Sequence, residues 1–457
     1  MLKHIRPHLR PTLGLAVPVV LSQVGHVLVG FVDSVLVGRL GTVPLAAVSL
    51  GLNSTTVILI LGIGLSMGSV PLVAAADGRR DSADLARLLV SSVGLSVLAG
   101  LALVGLGQLV PLLLHWLGQP PAVEVLAGPW VRVISWSFLP LMIFQGFREF
   151  AEGLGLTRQA MWLSLGGNLV NAALCYALVF GHGGAPALGM VGSAWATLAA
   201  RWLMAGLMAG YVLLSPRLAQ VRAAIGSWWP DAATLRRLFD LGAPIGVQMA
   251  FEVGAFAAAA IFIGWLGAVP LAAHQVAINL ASMTYMAASG IAAAATIRVG
   301  RLFGGGQLAE ARLAGFAAYL LGFGFMGCMG LLFVATRHAA PLLYSHDPAV
   351  VSQAATLLLI AALFQVSDGL QVVGLGALRG LGDVKVPSVV ALLAYWAVAL
   401  PLSYALGFRL HLGAPGVWAG LLVGLSIVAG VLLLRFRRET SPGYLLSQPE
   451  TGRRLPH

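Results

Sequence analysis

Long apolar runs recur along the whole of this 457-residue chain, and they limit its possible folds more than any other feature. A run of about 20 apolar residues is long enough to cross a bilayer as a helix. Hydrophobic residues make up 59% of the chain and charged residues 9%, against about 25% charged residues in soluble proteins. The sequence lacks the ten-residue alternating segments of membrane β-barrel strands. It therefore predicts an all-α polytopic membrane protein.

Twelve of these runs are predicted to form membrane-spanning helices. They cover residues 13–37, 45–74, 85–112, 124–150, 159–181, 188–214, 242–265, 270–297, 311–336, 350–377, 387–408 and 412–434. The first run follows a basic stub and is too long for the core of a signal peptide, so we expect it to remain as a helix.

Basic residues are distributed unevenly among the predicted connections. Of the 27 lysines and arginines, 22 lie in the N-terminal stub, the even-numbered connections or the C-terminal tail, and 3 lie in the odd-numbered connections. Because positively charged loops stay in the cytoplasm, both termini are predicted to be cytoplasmic. The preference for arginine over lysine is typical of a GC-rich bacterial genome, so the expected location is the bacterial cytoplasmic (inner) membrane. The net charge of +11 then reflects orientation, and no nucleic-acid partner is expected.

Two ten-residue segments indicate an internal repeat. GRLGTVPLAA (residues 38–47) and GWLGAVPLAA (residues 264–273) match at eight of ten positions, 226 residues apart. EGLG (residues 152–155) and RGLG (residues 379–382) match at a spacing of 227 residues. The sequence therefore predicts a duplicated six-helix unit, with a binding site between or within the two halves.

The repeat and the charge pattern together predict five parts of the chain. These are a cytoplasmic N-terminal stub (1–12), an N-terminal six-helix lobe (13–214), a cytoplasmic linker (215–241), a C-terminal six-helix lobe (242–435) and a cytoplasmic tail (436–457).

Three acidic residues lie well inside predicted spans: Asp33, Glu252 and Asp368. A charge at the centre of a membrane helix costs roughly 2.5–3.5 kcal/mol, so each group must be paired, be protonated or face a wet cavity. One explanation is structural, with each acid bonding neighbouring helices. The other, which the set of three favours, is a site that exchanges a cation or a proton.

Enzymatic motifs are missing from the sequence. It contains no metal-ligand cluster, phosphate-binding loop or nucleophile motif, so we predict no catalytic residues and no cofactor. Cys175 and Cys328 fall within apolar runs and are expected to be small apolar side chains rather than a disulfide.

Three motifs carry a resemblance to a known family. VDSVLVGRLG (residues 32–41), LGAVPLAAHQVA (residues 266–277) and GALRGLGDVKVP (residues 376–387) resemble the multidrug and toxic compound extrusion (MATE) family, in particular its NorM-like branch. The resemblance implies a V-shaped protein of two pseudo-symmetric six-helix lobes. It also implies a multidrug efflux antiporter that exports amphipathic, often cationic compounds in exchange for Na⁺ or H⁺, with no obligate protein partner.

The resemblance also implies two sites for the coupling ion. In the C-terminal lobe the acids are Glu252 and Asp368, where Na⁺ could bind, supported by Gln275 and Tyr285. In the N-terminal lobe the matching residues are Asp33, Asn171 and Ser193. Cys175 stands where relatives often have an amide or a second acid, and a neutral thiol is a poor Na⁺ ligand, so Asp33 is expected to act by protonation or as a structural polar group.

Several of the candidate residues for ion coupling or substrate binding also have a structural alternative. Gln275 and Asn279 could instead join helices by hydrogen bonds, Tyr285 could serve packing, and Asp347 could cap a helix that starts at Pro348. Methionines suit an adaptable drug cavity but also fill cores. The candidates for substrate binding are Asp347, Asn53, Asn279, Met283 and Met286.

Three other functions are alternatives, and the sequence argues against each, because it places acids inside the membrane and contains neither an enzymatic cluster nor a filter motif; the flippase is kept as the alternative. A flippase for a lipid-linked precursor would have a similar architecture but a more basic cavity. A membrane-embedded enzyme would need clustered His, Asp or Cys at a membrane face, and a channel would need a filter-like motif. The carboxylates serve Na⁺ and H⁺ equally well, so the sequence leaves the coupling ion open.

Overall fold

The computed structural model describes residues 2–114 and 120–441, and nearly all of this part of the chain is helical. Residues 442–457 of the predicted tail lie outside the described residues. The helices of the first half are α1 (Leu2–Gly38), α2 (Thr42–Ser66), α3 (Ser69–Arg79), α4 (Ser82–Leu114), α5 (Pro121–Trp136), α6 (Phe138–Gly153), α7 (Thr157–Phe180), α8 (Met190–Leu214) and α9 (Ala219–Ala223).

The second half has long helices too, with two π-helical stretches in its fifth span. Its helices are α10 (Ala232–Trp265), α11 (Ala268–Gly304), α12 (Leu308–Thr336), α13 (Pro348–Gly380), α14 (Lys385–Leu393), α15 (Leu400–Tyr404) and α16 (Gly413–Glu439). The π-helical stretches are Ala394–Ala399 and Ala405–Arg409, on either side of α15.

Within the described residues, 11 helical stretches are long and apolar enough to cross a membrane. They correspond to the second to twelfth predicted spans, and α2 with α3, α5 with α6, and α14 with α15 each form one stretch. The first predicted span, 13–37, lies within α1. The prediction of a polytopic all-α membrane protein is confirmed.

The predicted repeat is visible in the backbone. Gly41 and Gly267, which are equivalent in the two halves, precede α2 and α11 and both have φ of 124°. Glycine adopts this conformation without the steric cost that a Cβ would add. A Cβ at Gly41 would lie 3.9 Å from Cδ of Pro44, and a Cβ at Gly267 would lie 3.8 Å from Cδ of Pro270.

The predicted linker, 215–241, is shorter in the structure because α10 begins at Ala232. Asp231 starts this helix by accepting bonds from N–H and Oγ1 of Thr234, at 2.9 and 2.8 Å. A side-chain acceptor at this position satisfies an N–H group that the first turn of a helix leaves unpaired. Helix α10 therefore continues without a break from the basic connection into the predicted span.

By internal contacts the chain forms two compact units. One is Leu21–Gly246, and the other joins the chain before residue 21 to the chain after residue 246. The sequence predicts lobes at 13–214 and 242–435. In the structure the boundaries between the two units lie after residues 20 and 246, inside α1 and α10 and at equivalent positions of the repeat.

Close packing of glycines explains why the divisions fall inside helices. A Cβ at Gly290 of α11 would lie 3.1 Å from the main-chain oxygen of Ala16 in α1. At the equivalent Gly64 of α2, a Cβ would lie 2.6 Å from the main-chain nitrogen of Gly246 in α10. The first helix of each repeat therefore packs its early turns in one unit and its later turns in the other. Small residues permit such close contact between membrane helices.

Candidate functional site

Glu252 of α10 is the centre of a polar cluster in the second half. Its Oε1 accepts hydrogen bonds from Nε2 of Gln371 at 3.1 Å and from the Tyr395 hydroxyl at 3.2 Å. Its Oε2 accepts a bond from Nε2 of Gln248 at 3.4 Å. Helix α13 and the π-helical stretch after α14 thus supply donors that suit a carboxylate.

The cluster extends to a basic residue at the end of α13. The Arg379 guanidinium donates to Oε1 of Gln248 at 3.1 Å and interacts electrostatically with Glu252. The Tyr395 hydroxyl also lies 2.9 Å from Oε1 of Gln371 and can donate its single proton to that oxygen or to Glu252, so the donors around the carboxylate form one connected network. Such connected donors restrain the position of the carboxylate.

Asp368, one of the three predicted acids, is 4% exposed on α13. It lies close enough to Glu252 for the two carboxylates to interact electrostatically. Tyr285 of α11 interacts with both acids and with Arg379. The structure thus brings together three of the four residues predicted for this site.

Gln275 is the fourth predicted residue, and its side chain is hydrogen-bonded to Asn279 rather than to Glu252 or Asp368. Its Nε2 donates to Oδ1 of Asn279, one helical turn further along α11, at 3.1 Å. Gln275 is exposed and Asn279 half-buried. This bond joins residues of one helix, rather than two helices as the structural alternative supposed.

The remaining substrate-binding candidates lie mostly on exposed faces. Asp347 is exposed and caps α13 by accepting a bond from the Ala349 N–H at 2.9 Å, so the expected cap is present, while a role in substrate binding stays a prediction. Asn53 is exposed on α2, Met283 is 63% exposed on α11, and Met286 is half-buried on the same helix.

A separate cavity of about 160 Å³ lies within the unit Leu21–Gly246. Asp33 of α1, Asn171 of α7 and Ser193 of α8 all line it, so the structure brings together the three residues predicted for the first half. Aromatic and apolar side chains form most of the remaining wall, including Trp130, Phe138, Phe144, Ile134, Leu141 and Met204.

Asp33 and Asn171 are hydrogen-bonded to each other, whereas Ser193 is hydrogen-bonded to other residues. The Asn171 Nδ2 donates to Oδ2 of Asp33 at 3.2 Å, and the buried Cys175 is also hydrogen-bonded to Asp33. The Ser193 hydroxyl donates to the main-chain oxygen of Met190 at 2.8 Å and accepts from Nε1 of Trp130 at 3.0 Å.

Sequence reasoning missed a basic residue in each site. Arg201 lines the cavity of the first half, donates to the Ser137 hydroxyl at 2.6 Å and interacts electrostatically with Asp33. Its signal is the spacing of Ser193, Thr197 and Arg201, which places all three on one helix face. Arg379 follows the predicted span 350–377, and in the structure it lies three helical turns after Asp368 on the same face of α13.

A bound cation would draw on a mixed set of ligands. Among the described residues, no three His, Cys, Asp or Glu side chains group together in a way that could hold a metal ion. At Glu252 and Asp368 the available ligands are carboxylate oxygens with nearby amide and hydroxyl oxygens. Such hard oxygen ligands suit an alkali cation or a proton better than a transition metal.

Many secondary transporters are built, like this chain, from a duplicated set of membrane helices with polar groups buried near the repeat interface. The MatE family model matches residues 18–177 and 244–405, and the two matched segments begin at equivalent positions of the repeat. The chain therefore belongs to the MatE family, whose members are transporters and not enzymes.

Known proteins resemble the chain over almost its whole length. It is 35% identical to the probable multidrug resistance protein NorM of Rhizobium meliloti, covering 94% of this chain and 93% of that protein. It is 38% identical to the multidrug resistance protein NorM of Burkholderia vietnamiensis, covering 95% of each chain. The eukaryotic MATE transporter AtDTX14 shares the fold with a TM-score of 0.85 at 21% identity, over 97% of this chain and 100% of that one.

Proposed function

We propose that the protein is a multidrug efflux antiporter that exports amphipathic, often cationic compounds in exchange for Na⁺ or H⁺. Similarity to relatives named as multidrug resistance proteins supports the export of drugs. The charge pattern of the connections supports a bacterial cytoplasmic membrane location with both termini in the cytoplasm.

The charge balance around Glu252 is the observation that carries the ion-coupling part of the proposal. Glu252 and Asp368 are two interacting carboxylates, and Arg379 provides one positive charge that acts on Glu252. Two acids in a low dielectric cannot both remain charged without further neutralisation. A sodium ion or a proton would supply the missing positive charge. Tyr285 lies beside the acids, and Gln275 is the predicted supporting residue.

Exchange requires that the ion and the drug favour different conformations. A ligand shifts an equilibrium only by the difference between its affinities for the two states. Neutralisation of Glu252 and Asp368 would stabilise the conformation that releases drug, and loss of the ion would favour the conformation that binds it. Asp33, with Asn171 and Ser193, is proposed as a second group in the first half that responds to the ion.

Dye efflux from proteoliposomes tests this proposal, with an imposed Na⁺ gradient and an imposed pH gradient in separate runs. Efflux driven by Na⁺ at constant pH would support a sodium site at Glu252 and Asp368. Efflux driven only by the pH gradient would support carboxylate protonation there and at Asp33. No response to either gradient would contradict ion-coupled export and favour a flippase.

A further inference from the structure

A fourth buried acid, Glu149, lies apart from both sites. It is on α6 and is 4% exposed. It does not line the cavity of the first half, and it belongs to the other unit from Glu252 and Asp368. The Ser66 hydroxyl of α2 lies 2.9 Å from its Oε1, and the Ser69 hydroxyl of α3 lies 3.5 Å from its Oε2.

The hydrogen bonds around Glu149 require one more proton than the two serines can supply. The Ser66 Oγ is 2.8 Å from the main-chain oxygen of Ile63 as well as 2.9 Å from Glu149. A hydroxyl has one proton to donate, and both of these neighbours are acceptors when Glu149 is ionised. A proton on Oε1 of Glu149 resolves the conflict, because Glu149 then donates to Ser66 and Ser66 donates to Ile63.

The charges near Glu149 do not compensate for an ionised carboxylate. Those that act on it are Arg148 and Glu152, both on its own helix. Arg148 instead forms an ion pair with Glu152, with Nε 2.7 Å from Oε1, and donates a hydrogen bond to Oε1 of Gln145 at 3.2 Å. Helix α2 has no charged residue; the other helices packed on α6 carry Asp77 and Arg79 (α3), Asp84 and Arg87 (α4), Glu124 and Arg132 (α5), Arg158 (α7) and Arg201 (α8).

We propose that Glu149 is a proton-binding site of the first half, separate from the coupling carboxylates and occupied in the conformation described here. Release transfers its proton to water and leaves a carboxylate. The Ser66 proton then turns from Ile63 to Glu149. Ser66 ends α2 and Ser69 begins α3, so movement at this junction changes the oxygens that hold the proton.

Infrared spectroscopy of the purified protein tests the site without any transported substrate. Wild-type protein at pH 7 should show the C=O stretch of a protonated carboxyl group that Glu149→Gln lacks and that Glu252→Gln and Asp368→Asn retain. Ser66→Ala should keep this band but shift its frequency, because the acceptor of the proton is gone. The band should fade as the pH is raised.

Three outcomes would overturn the proposal. The first is a spectrum of Glu149→Gln identical to that of the wild type, and the second is a Glu149 band that does not change with pH. The third is a band abolished by Na⁺ at constant pH, which would mean that a metal ion occupies the site. None of these depends on whether the protein exports drugs, so this test and the efflux test fail independently.

Thermal unfolding in detergent gives a second readout. The folded protein would keep a proton that the unfolded chain releases above about pH 4.3, so wild-type stability should fall as the pH rises from that value. Glu149→Gln is neutral at every pH and should lack this slope, so the melting temperature of the variant should rise relative to that of the wild type as the pH is raised above about 4.3. Parallel pH profiles would contradict a bound proton.

Discussion

At the residue scale, Glu252 and Asp368 lie close together, and both interact with Tyr285. Replacing either acid by its amide keeps its size but removes the group that a cation or a proton neutralises. We expect Glu252→Gln and Asp368→Asn each to reduce gradient-driven dye efflux to background while leaving the protein folded. Asp240→Asn, at an exposed acid of the same helix as Glu252, is the matched control. Wild-type efflux in both site variants would rule out these acids as the coupling site.

Arg379 is the positive charge that the structure adds to this site. Its loss should make the site more negative, so the ion should bind more tightly and leave more slowly. For Arg379→Gln we expect the half-saturating ion concentration to fall by about tenfold, which corresponds to about 1.4 kcal/mol. The exposed Arg217→Gln should leave that concentration unchanged. A higher half-saturating concentration in Arg379→Gln would show that Arg379 does not compete with the ion.

At the element scale, Gly64 sets how closely α2 approaches α10. A Cβ there would meet backbone atoms of Gly246, and backbone cannot move aside as a flexible side chain can. Gly64→Ala should therefore lower the free energy of unfolding by about 1–3 kcal/mol, seen as a lower melting temperature in detergent. Gly210→Ala, in α8 with nothing within 4 Å, should be neutral or slightly stabilising. Equal melting temperatures for the two variants would contradict close packing at Gly64.

Asp231 fixes the start of α10, the helix that carries Glu252. Hydrogen bonds from the Thr234 hydroxyl and N–H lower the pKa of the Asp231 carboxyl from its ordinary value. Its contribution to stability is therefore present above the unfolded pKa of about 3.9 and is lost as the pH falls through the lower folded pKa. We expect Asp231→Ala to lower the melting temperature at pH 7, and this difference to shrink in strong acid.

The variant Asp231→Asn distinguishes the effect of helix capping from the effect of the negative charge on the melting temperature. Asparagine is also a good N-cap residue, so this variant should melt near the wild-type temperature. A melting temperature as low as that of Asp231→Ala would mean that charge, rather than capping, supports this end of the helix.

At the scale of the whole molecule, the predicted orientation places successive connections on opposite sides of the membrane. In a variant with Cys175 and Cys328 replaced by alanine, Gln307→Cys and His338→Cys put single thiols at exposed positions at the two ends of α12. A membrane-impermeant thiol reagent should label His338→Cys in intact cells and Gln307→Cys only after permeabilisation. The reverse pattern would place both termini outside the cytoplasm.

Much of the architecture could be predicted from the sequence because its causes are local. Apolar length determines which segments can cross a bilayer. The matching segments that begin at Gly38 and Gly264 indicate a duplication. The equal φ of Gly41 and Gly267 agrees with it, and so do the two segments matched by the MatE model. A carboxylate inside an apolar run is costly wherever it lies, so Asp33, Glu252 and Asp368 could be singled out without tertiary information.

The partners of those acids depended on tertiary structure. Tyr395 bonds Glu252 from 143 residues away, and the charges of Arg201 and Arg379 act across helices on the acids in spans. Glu149 lies at the end of the predicted span 124–150, where the sequence gives no sign that its carboxyl is buried. Its burial depends on packing against α2 and α3.

The sequence alone determined that this chain spans a membrane as a duplicated bundle of helices with acids inside it, because the bilayer imposes length and polarity on each segment separately. Only the tertiary structure decided which oxygens and which basic groups surround each acid. Those contacts join helices far apart in sequence, and each becomes favourable only when packing has brought the helices together and removed water from between them.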